Sequence, residues 1–348
     1  MRCAGACGVM TPGTTTRSRV VVIAAVSALV SGALVAAYDR GVSPAPAGAA
    51  RADAWPAVRH VELDIVGADL EMAPGVVWHA WTYNGTVPGP TIEARVGDTL
   101  RITVHNTMDI THSFHTHLSP YALENDGSQI NTITGVGKGA MIAPGASYTY
   151  EFRPTMPGVF YYHCHSADGG HHIAEHVAQG LYGAIVIEAP DEPPVRDEPL
   201  FMAERGFDVD GEGAPYFIMN GKGIPGGEHA LEGIFAAEGL EGVVAQFGKT
   251  VPLIQGTVGE PVRLSVVNIG DTIHSFHVHG MNTVSVDLMP GRIHPANVVQ
   301  LVPGGADRVV LTPTEPGVWL FHCHVVAHAD AGMIGVFVVE AAGPGSQP

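Results

Sequence analysis

The stretch Leu100–Asn106, LRITVHN, alternates apolar and polar side chains with a period of two, the pattern of a strand that buries one face. Ala184–Ala189 (AIVIEA) and Gly335–Ala341 (GVFVVEA) are short apolar runs, and Pro-Gly turns punctuate the chain between such segments. The pattern predicts an all-β protein. Two stretches read instead as helices, Gly170–Leu181 and His229–Val244, although the glycines of the second weaken it. One further run, Val20–Ala37, is uncharged and mostly apolar and follows Arg17 and Arg19. It leads into a loose Ala/Pro-rich stretch from Tyr38 to Ala54, so residues 1–54 read as an export signal or membrane anchor with a flexible linker. No twin-arginine pair is present, only Arg-Ser-Arg.

The strand pattern occurs twice. VGDTLRITVHN (Val96–Asn106) matches VGEPVRLSVVN (Val258–Asn268), and HSFHTH (His112–His117) matches HSFHVH (His274–His279). PTMPGVFYYHCH (Pro154–His165) likewise matches PTEPGVWLFHCH (Pro313–His324). The order is kept and the offset is about 160 residues, far too long for a solenoid repeat. Two copies of one domain are expected, at about 55–190 and 195–341, each of a size for a Greek-key β-sandwich. The proline-rich, charged Ala189–Pro199 is the expected linker.

Composition narrows the function. A formal net charge of −17 over 348 residues leaves no basic footprint for nucleic acid. Of four cysteines, Cys3 and Cys7 precede the apolar run, which leaves Cys164 and Cys323. Both sit inside His-Cys-His, which favours metal binding over a disulfide between them.

In an extended strand His322 and His324 share one face and Cys323 points to the other, so the two kinds of ligand serve different sites. Cys323 with His274, His328 and Met333 makes a thiolate, two imidazoles and a weak thioether, the donor set of a blue copper site. The first half offers His112, Cys164 and a later histidine, with His171, His172 and His176 available. His176 is favoured because Leu181 follows it by five positions, as Met333 follows His328. Leucine cannot ligate, which predicts a higher reduction potential there. Eight histidines remain in four same-face pairs: His115 with His117, His163 with His165, His277 with His279, and His322 with His324. They are more than one metal can use and would suit a cluster of three. His171 and His172 read as solvated loop residues, and Glu175 as part of a solvated helix face.

The motifs HSFHVH and HCHVVAHADAGM resemble those of multicopper oxidases, and the two-domain repeat and short length resemble the two-domain laccases, in the form with a blue-copper motif in both domains. The resemblance covers about residues 60–340. It implies two tandem cupredoxin-like sandwiches, with the three-copper centre built between a first and a second domain of neighbouring subunits in a homotrimer. By matching position, His115 and His277 would hold the type 2 copper, and His117, His163, His165, His279, His322 and His324 the type 3 pair. About five coppers per chain follow from the two blue sites and the cluster. The resemblance further implies dioxygen as acceptor and a small reducing substrate: a phenol, an aromatic amine or a low-valent metal ion. Asp126, in ENDGS, is a candidate proton-relay carboxylate, with Tyr121 at the rim of the cluster. Two other readings stand beside this one. A copper nitrite reductase is a related two-domain trimer with a single three-histidine catalytic copper. A non-enzymatic electron carrier would need one blue site alone.

Overall fold

The computed structural model describes residues 55–135, 141–167, 170–190, 197–205, 216–281, 283–286, 293–295 and 297–342. The expected export segment with Cys3 and Cys7, and residues 191–196 of the expected linker, lie outside the described residues. Among the described residues no helix is long and apolar enough to cross a membrane.

The first half contributes eight strands: β1 (Val58–Ala73), β2 (Val76–Tyr83), β3 (Gly89–Arg95), β4 (Thr99–Asn106), β5 (His115–Thr116), β6 (Ser147–Phe152), β7 (Gly158–His163) and β8 (Tyr182–Glu188). They form two sheets, ordered β2-β1-β4-β6 and β3-β8-β7-β5. The second half contributes β9 (Asp197–Arg205), β10 (Tyr216–Met219), β11 (Leu253–Thr257), β12 (Val262–Asn268), β13 (His274–Val278), β14 (Thr283–Val286), β15 (Ile293–Pro295), β16 (Val298–Leu301), β17 (Ala306–Leu311), β18 (Gly317–Cys323) and β19 (Ile334–Glu340). These make the sheets β10-β9-β12-β17-β14-β15 and β11-β19-β18-β13-β16. Pairings repeat between the halves. The parallel pairs β1·β4 and β3·β8 correspond to β9·β12 and β11·β19, and antiparallel β7·β8 to β18·β19. The fold is all-β, two tandem Greek-key sandwiches. Among the described residues four α-helices punctuate it: α1 (Gln129–Thr134), α2 (Ile173–Ala178), α3 (Gly227–Val244) and α4 (Val326–Asp330).

Alternation sets which face is buried. In β4 the side chains of Leu100, Ile102 and Val104 are fully buried while Arg101 is exposed. Its counterpart β12 is buried along its whole length, including Arg263 and Ser265. Asp197 explains this: its carboxylate meets the Arg263 guanidinium at 2.7 Å and accepts the Ser265 hydroxyl, satisfying polar groups that burial would otherwise penalise. The expected linker is accordingly shorter than its composition indicates, because Asp197 opens β9 and Pro199 lies within it. The Gly170–Leu181 helix contracts to α2, and α3 carries a break at Gly239, whose φ of 70° and ψ of −165° interrupt the helical run.

A third apolar core joins the halves. Trp78, Val159, Tyr161, Tyr182 and Ala184 of the first half pack with Phe201, Ala203, Ile218 and Val267 of the second. The Tyr182 and Phe201 rings lie 5.0 Å apart, and the Tyr161 hydroxyl donates to the Gly304 carbonyl at 3.0 Å. Phe201→Ala is expected to cost about 3–5 kcal/mol, read as a lowered denaturant midpoint; a loss under 1 kcal/mol would show that this junction collapses around the cavity.

Asp98 tethers the start of β1. It is fully buried and accepts the Ala57 N–H at 2.8 Å, the Arg59 Nε at 2.7 Å and the Arg95 N–H at 3.0 Å. Burial alone raises its pKa, but these donors outweigh it and hold the carboxylate below its usual range. Its contribution to stability is then present above the unfolded carboxylate pKa and lost as pH falls through the lower folded value. Asp98→Asn is expected to flatten that acid limb of the stability–pH profile; an unchanged limb would assign acid sensitivity to other carboxylates.

Candidate metal centres

Strand register places each cysteine inside its sandwich. Cys323 ends β18, with Phe276 opposite it on β13, and His277 faces His322. Cys323 is buried, while the His322 and His324 rings lie 5.8 Å apart on the other face. In the first half His115 pairs with His163, and Cys164 is buried directly after β7.

Around Cys323 three donor atoms converge. Its Sγ lies 3.8 Å from His274 Nδ1 and 3.7 Å from His328 Nδ1, and the two ring nitrogens are 3.2 Å apart. Around Cys164, Sγ lies 3.7 Å from His112 Nδ1 and 3.2 Å from His176 Nδ1, with the nitrogens 3.1 Å apart. Of the three histidines available in the first half, His176 is the one brought to the thiol, because α2 turns it inward. His171 instead pairs with Glu175 at 3.0 Å, leaving that carboxylate half-buried rather than fully solvated, and His172 is exposed. Each cysteine N–H donates to the carbonyl of the residue that closes its loop: Cys164 to Leu181 at 3.0 Å and Cys323 to Met333 at 3.1 Å. Leu181 and Met333 are therefore equivalent positions, both fully buried. A backbone N–H also points at each sulfur, from Ser113 at 3.3 Å and Ser275 at 3.5 Å.

The donor chemistry fits copper. One soft sulfur and two imidazole nitrogens, with no carboxylate among them, match a blue copper set. Burial, then the neighbouring His176, depresses His112 to about 3, and burial depresses His176 to about 4, so both imidazoles are neutral and offer lone pairs. Burial pushes the Cys164 thiol up to about 11, so metal binding there must release its proton. The second site differs. Burial favours neutral His274, but Cys323 and Glu204 outweigh it and raise the ring to about 9. Glu204 Oε1 lies 3.0 Å from His274 Nε2. This carboxylate is itself buried and held at about 2, because the His274 ring beside it and the Thr272 hydroxyl overcome the cost of burial.

The eight histidines of the His-x-His and His-Cys-His motifs form two quartets, and each quartet has the same internal supports. His115 Nδ1 donates to the Asp126 carbonyl at 2.6 Å and His277 Nδ1 to the Asn297 carbonyl at 2.8 Å. His163 and His322 donate from Nδ1 to the carbonyls of Cys164 and Cys323, at 3.0 and 2.8 Å. A carbonyl partner fixes the proton on Nδ1 and leaves Nε2 to face a metal. His115, His117 and His163 offer ligand atoms within 4.8 Å of one another, as do His277, His279 and His322. His165 and His324 adjoin them, at 5.0 Å from the His115 ring and 5.5 Å from the His277 ring. His117, His279 and His324 are exposed, and among the described residues no ring contact joins the two quartets.

Asp126 and Tyr121 stand beside the first quartet. The Asp126 carboxylate accepts the Tyr121 hydroxyl at 3.0 Å, Asn131 Nδ2 at 2.8 Å and the Ser128 hydroxyl, and lies 3.8 Å from His115 Nδ1. Those donors outweigh burial and keep it ionised, while burial and then Asp126 push Tyr121 up to about 12.

Several supports were missed from sequence: Glu204, the Asn297 carbonyl, and the aromatic covers Trp81 and Phe217. Trp81 lies 5.1 Å from the His176 ring, and Phe217 stacks on His328 at 4.0 Å. A signal for the covers existed. YNGTVPG and MNGKGIPG follow β2 and β10, with Asn84 and Asn220 both at positive φ (59° and 50°). Their Oδ1 atoms accept the N–H groups of Asp64 at 2.6 Å and Phe201 at 2.8 Å. This turn aligns the two aromatic strands.

Gly127 holds the Asp126 carbonyl in place. Its φ is +67°, and a Cβ there would lie 2.2 Å from the Phe114 carbonyl oxygen. Gly127→Ala is therefore expected to weaken copper binding at the first quartet by about 10–100-fold, read by calorimetric titration. Parent-like binding would show that the Asp126 carbonyl does not orient His115.

Two multicopper oxidase family models match residues 68–192 and 229–343. A copper-containing nitrite reductase of Neisseria meningitidis is 30% identical over 83% of this chain and 71% of its own. A probable nitrite reductase–hydroxylamine oxidoreductase fusion protein of Kuenenia stuttgartiensis is 29% identical over 81% of this chain, which spans about a third (31%) of that protein. Relatives also include a laccase of Arabidopsis thaliana, of which the chain spans 43%. A solved multicopper oxidase superposes with a TM-score of 0.65 at 30% identity, covering 81% of this chain and 89% of the other. With two cupredoxin-type sandwiches and paired His-Cys-His motifs, the chain belongs to the multicopper oxidase family.

Proposed function

We propose that this chain is a copper-dependent oxidase that takes single electrons from a small reducing donor and passes them to dioxygen. The observation that carries this reading is the pair of histidine quartets, present in addition to two complete thiolate–imidazole sets. That inventory suits about five copper ions per chain. When bound, copper would supply the one-electron chemistry, with four electrons and four protons converting one dioxygen to two waters.

The chain's own residues supply geometry, connectivity and protons. Cys164 is bonded in sequence to His163 and His165, and Cys323 to His322 and His324, so each thiolate is wired to a quartet through a few covalent bonds. The carbonyls of Asp126, Cys164, Asn297 and Cys323 aim four imidazoles. Asp126, bridged to Tyr121 and next to His115, is placed to pass protons. The exposed His117, His279 and His324 argue that each quartet is half of a site completed by another copy, and a closed homotrimer satisfies every half-site. Phenols, aromatic amines and low-valent metal ions are the donor classes. The basic, apolar N-terminal segment supports an exported protein, held at the surface if the segment stays attached.

Nitrite reduction is the second reading, favoured by the 30% identity to copper-containing nitrite reductases. It leaves unexplained a cysteine in both halves and the full second quartet of His277, His279, His322 and His324. An electron carrier without catalysis leaves both quartets unexplained.

Copper per chain, measured on loaded and desalted protein, separates these readings. About five, with oxygen uptake driven by a phenolic donor, is the expected result. About four would remove copper from the Cys164 site. About two, with nitrite-dependent turnover, would replace the oxidase by a nitrite reductase.

A further inference from the structure

The two cysteine sites are built on corresponding strands, and this makes a chemical difference between them visible. β1 pairs with β4 at Ile65 opposite Asn106, and β9 pairs with β12 at Met202 opposite Asn268. The two asparagines do the same work, Asn106 Nδ2 donating to the carbonyls of Ile110 and Ile142 and Asn268 Nδ2 to those of Thr272 and Leu301. Two residues further along, Gly67 of β1 lies opposite Trp81, and Glu204 of β9 lies opposite Phe217. Trp81 and Phe217 are the aromatic covers of the two sites, so Gly67 and Glu204 are equivalent positions. The Nε2 atoms of His112 and His274 are both buried and neither makes a well-directed hydrogen bond, so the sites differ there in the charge nearby. At the second, the equivalent nitrogen of His274 faces a carboxylate 3.0 Å away. That carboxylate is fixed by the N–H groups of Asp271 at 3.0 Å and Thr272 at 3.2 Å, and by the Thr272 hydroxyl.

We propose that Glu204 is a positioning residue for the second-half copper site: by orienting His274 and placing a negative charge on its far nitrogen, it stabilises oxidised copper there and makes this centre the weaker oxidant of the two. The physical basis is local. A carboxylate on the remote nitrogen of a ligating imidazole fixes the ring and increases its donor strength, which favours the more highly charged metal ion. Burial amplifies this, since the pair lies where water does not screen it. The first site has no anion at the matching position and carries Leu181 where the second has Met333, and both differences raise its potential relative to the second. Electrons delivered to either centre would then rest preferentially on the first-half copper.

This inference rests on the copper sites of the proposed function and is independent of the acceptor. Its test uses the full chain carrying Cys164→Ser, so that the Cys323 site alone gives the intense thiolate-to-copper absorption, followed during a spectroelectrochemical titration. Glu204→Gln in that background is expected to keep the absorption and raise the potential, weakening oxidised copper by about tenfold, or about 59 mV for one electron. Glu204→Asp keeps the charge but withdraws it by one methylene, so its potential is expected to fall between parent and glutamine variant. It also serves as the test if Glu204→Gln does not fold. A potential unmoved in the variant that folds would overturn the role of Glu204. No thiolate-to-copper absorption in the Cys164→Ser parent would instead overturn the copper reading of the Cys323 site, and the inference with it.

Discussion

The whole arrangement depends on strand register across His-Cys-His. Successive side chains of a strand face opposite ways, so a slip of one residue would put both histidines into the sandwich and the thiol outside it. The register is pinned on both sides of the motif. Cys323 N–H donates to the Met333 carbonyl, His324 N–H to Ser275 and His279 N–H to Leu320. In the first half, Cys164 N–H donates to Leu181 and His117 N–H to Tyr161. The apolar cores hold these strands in place, with Phe276 and Phe321 buried beside Cys323 and Phe114 and Tyr162 beside Cys164. Metal chemistry is thus a by-product of ordinary sandwich packing, in which one face is apolar and closed and the other presents imidazoles.

Much of this could be read in the sequence because it depends on short-range spacing. The duplicated His-Ser-Phe-His and His-Cys-His motifs lie on strands, where a period of two determines the face directly, so both quartets and both thiols could be located. The choice of His176 over His171 and His172 also followed from spacing, since Leu181 closes its loop as Met333 closes the other. Supports that come from distant strands were not legible. Glu204 reaches His274 from β9 across 70 positions of sequence, and nothing about a lone glutamate in MAERG marks it as buried. Carbonyl supports such as Asn297 leave no trace in residue identity. Asp197 was hidden by composition, because a proline-rich, charged stretch looks like a linker even where its last residues pair into a strand.

The duplication is close in backbone and loose in chemistry. Asn84 and Asn220 make the same turn, Asn106 and Asn268 the same loop clamp, and Trp81 and Phe217 cover the same place. Among the places where the copies diverge are residues next to the cysteine sites: Gly67 against Glu204, Leu181 against Met333. A repeated scaffold can change these few positions without disturbing the framework that aims the ligands.

The core shared by Trp78, Tyr182, Phe201 and Val267 bears on how the molecule comes apart. Each sandwich uses the other as the lid for one of its apolar faces, so opening either one would leave the other's aromatic surface bare to water. The duplicated halves look like separable modules in sequence, yet beside a core of its own each contributes to one that both share. A change in that shared core therefore bears on both halves at once, however far it lies from either cysteine.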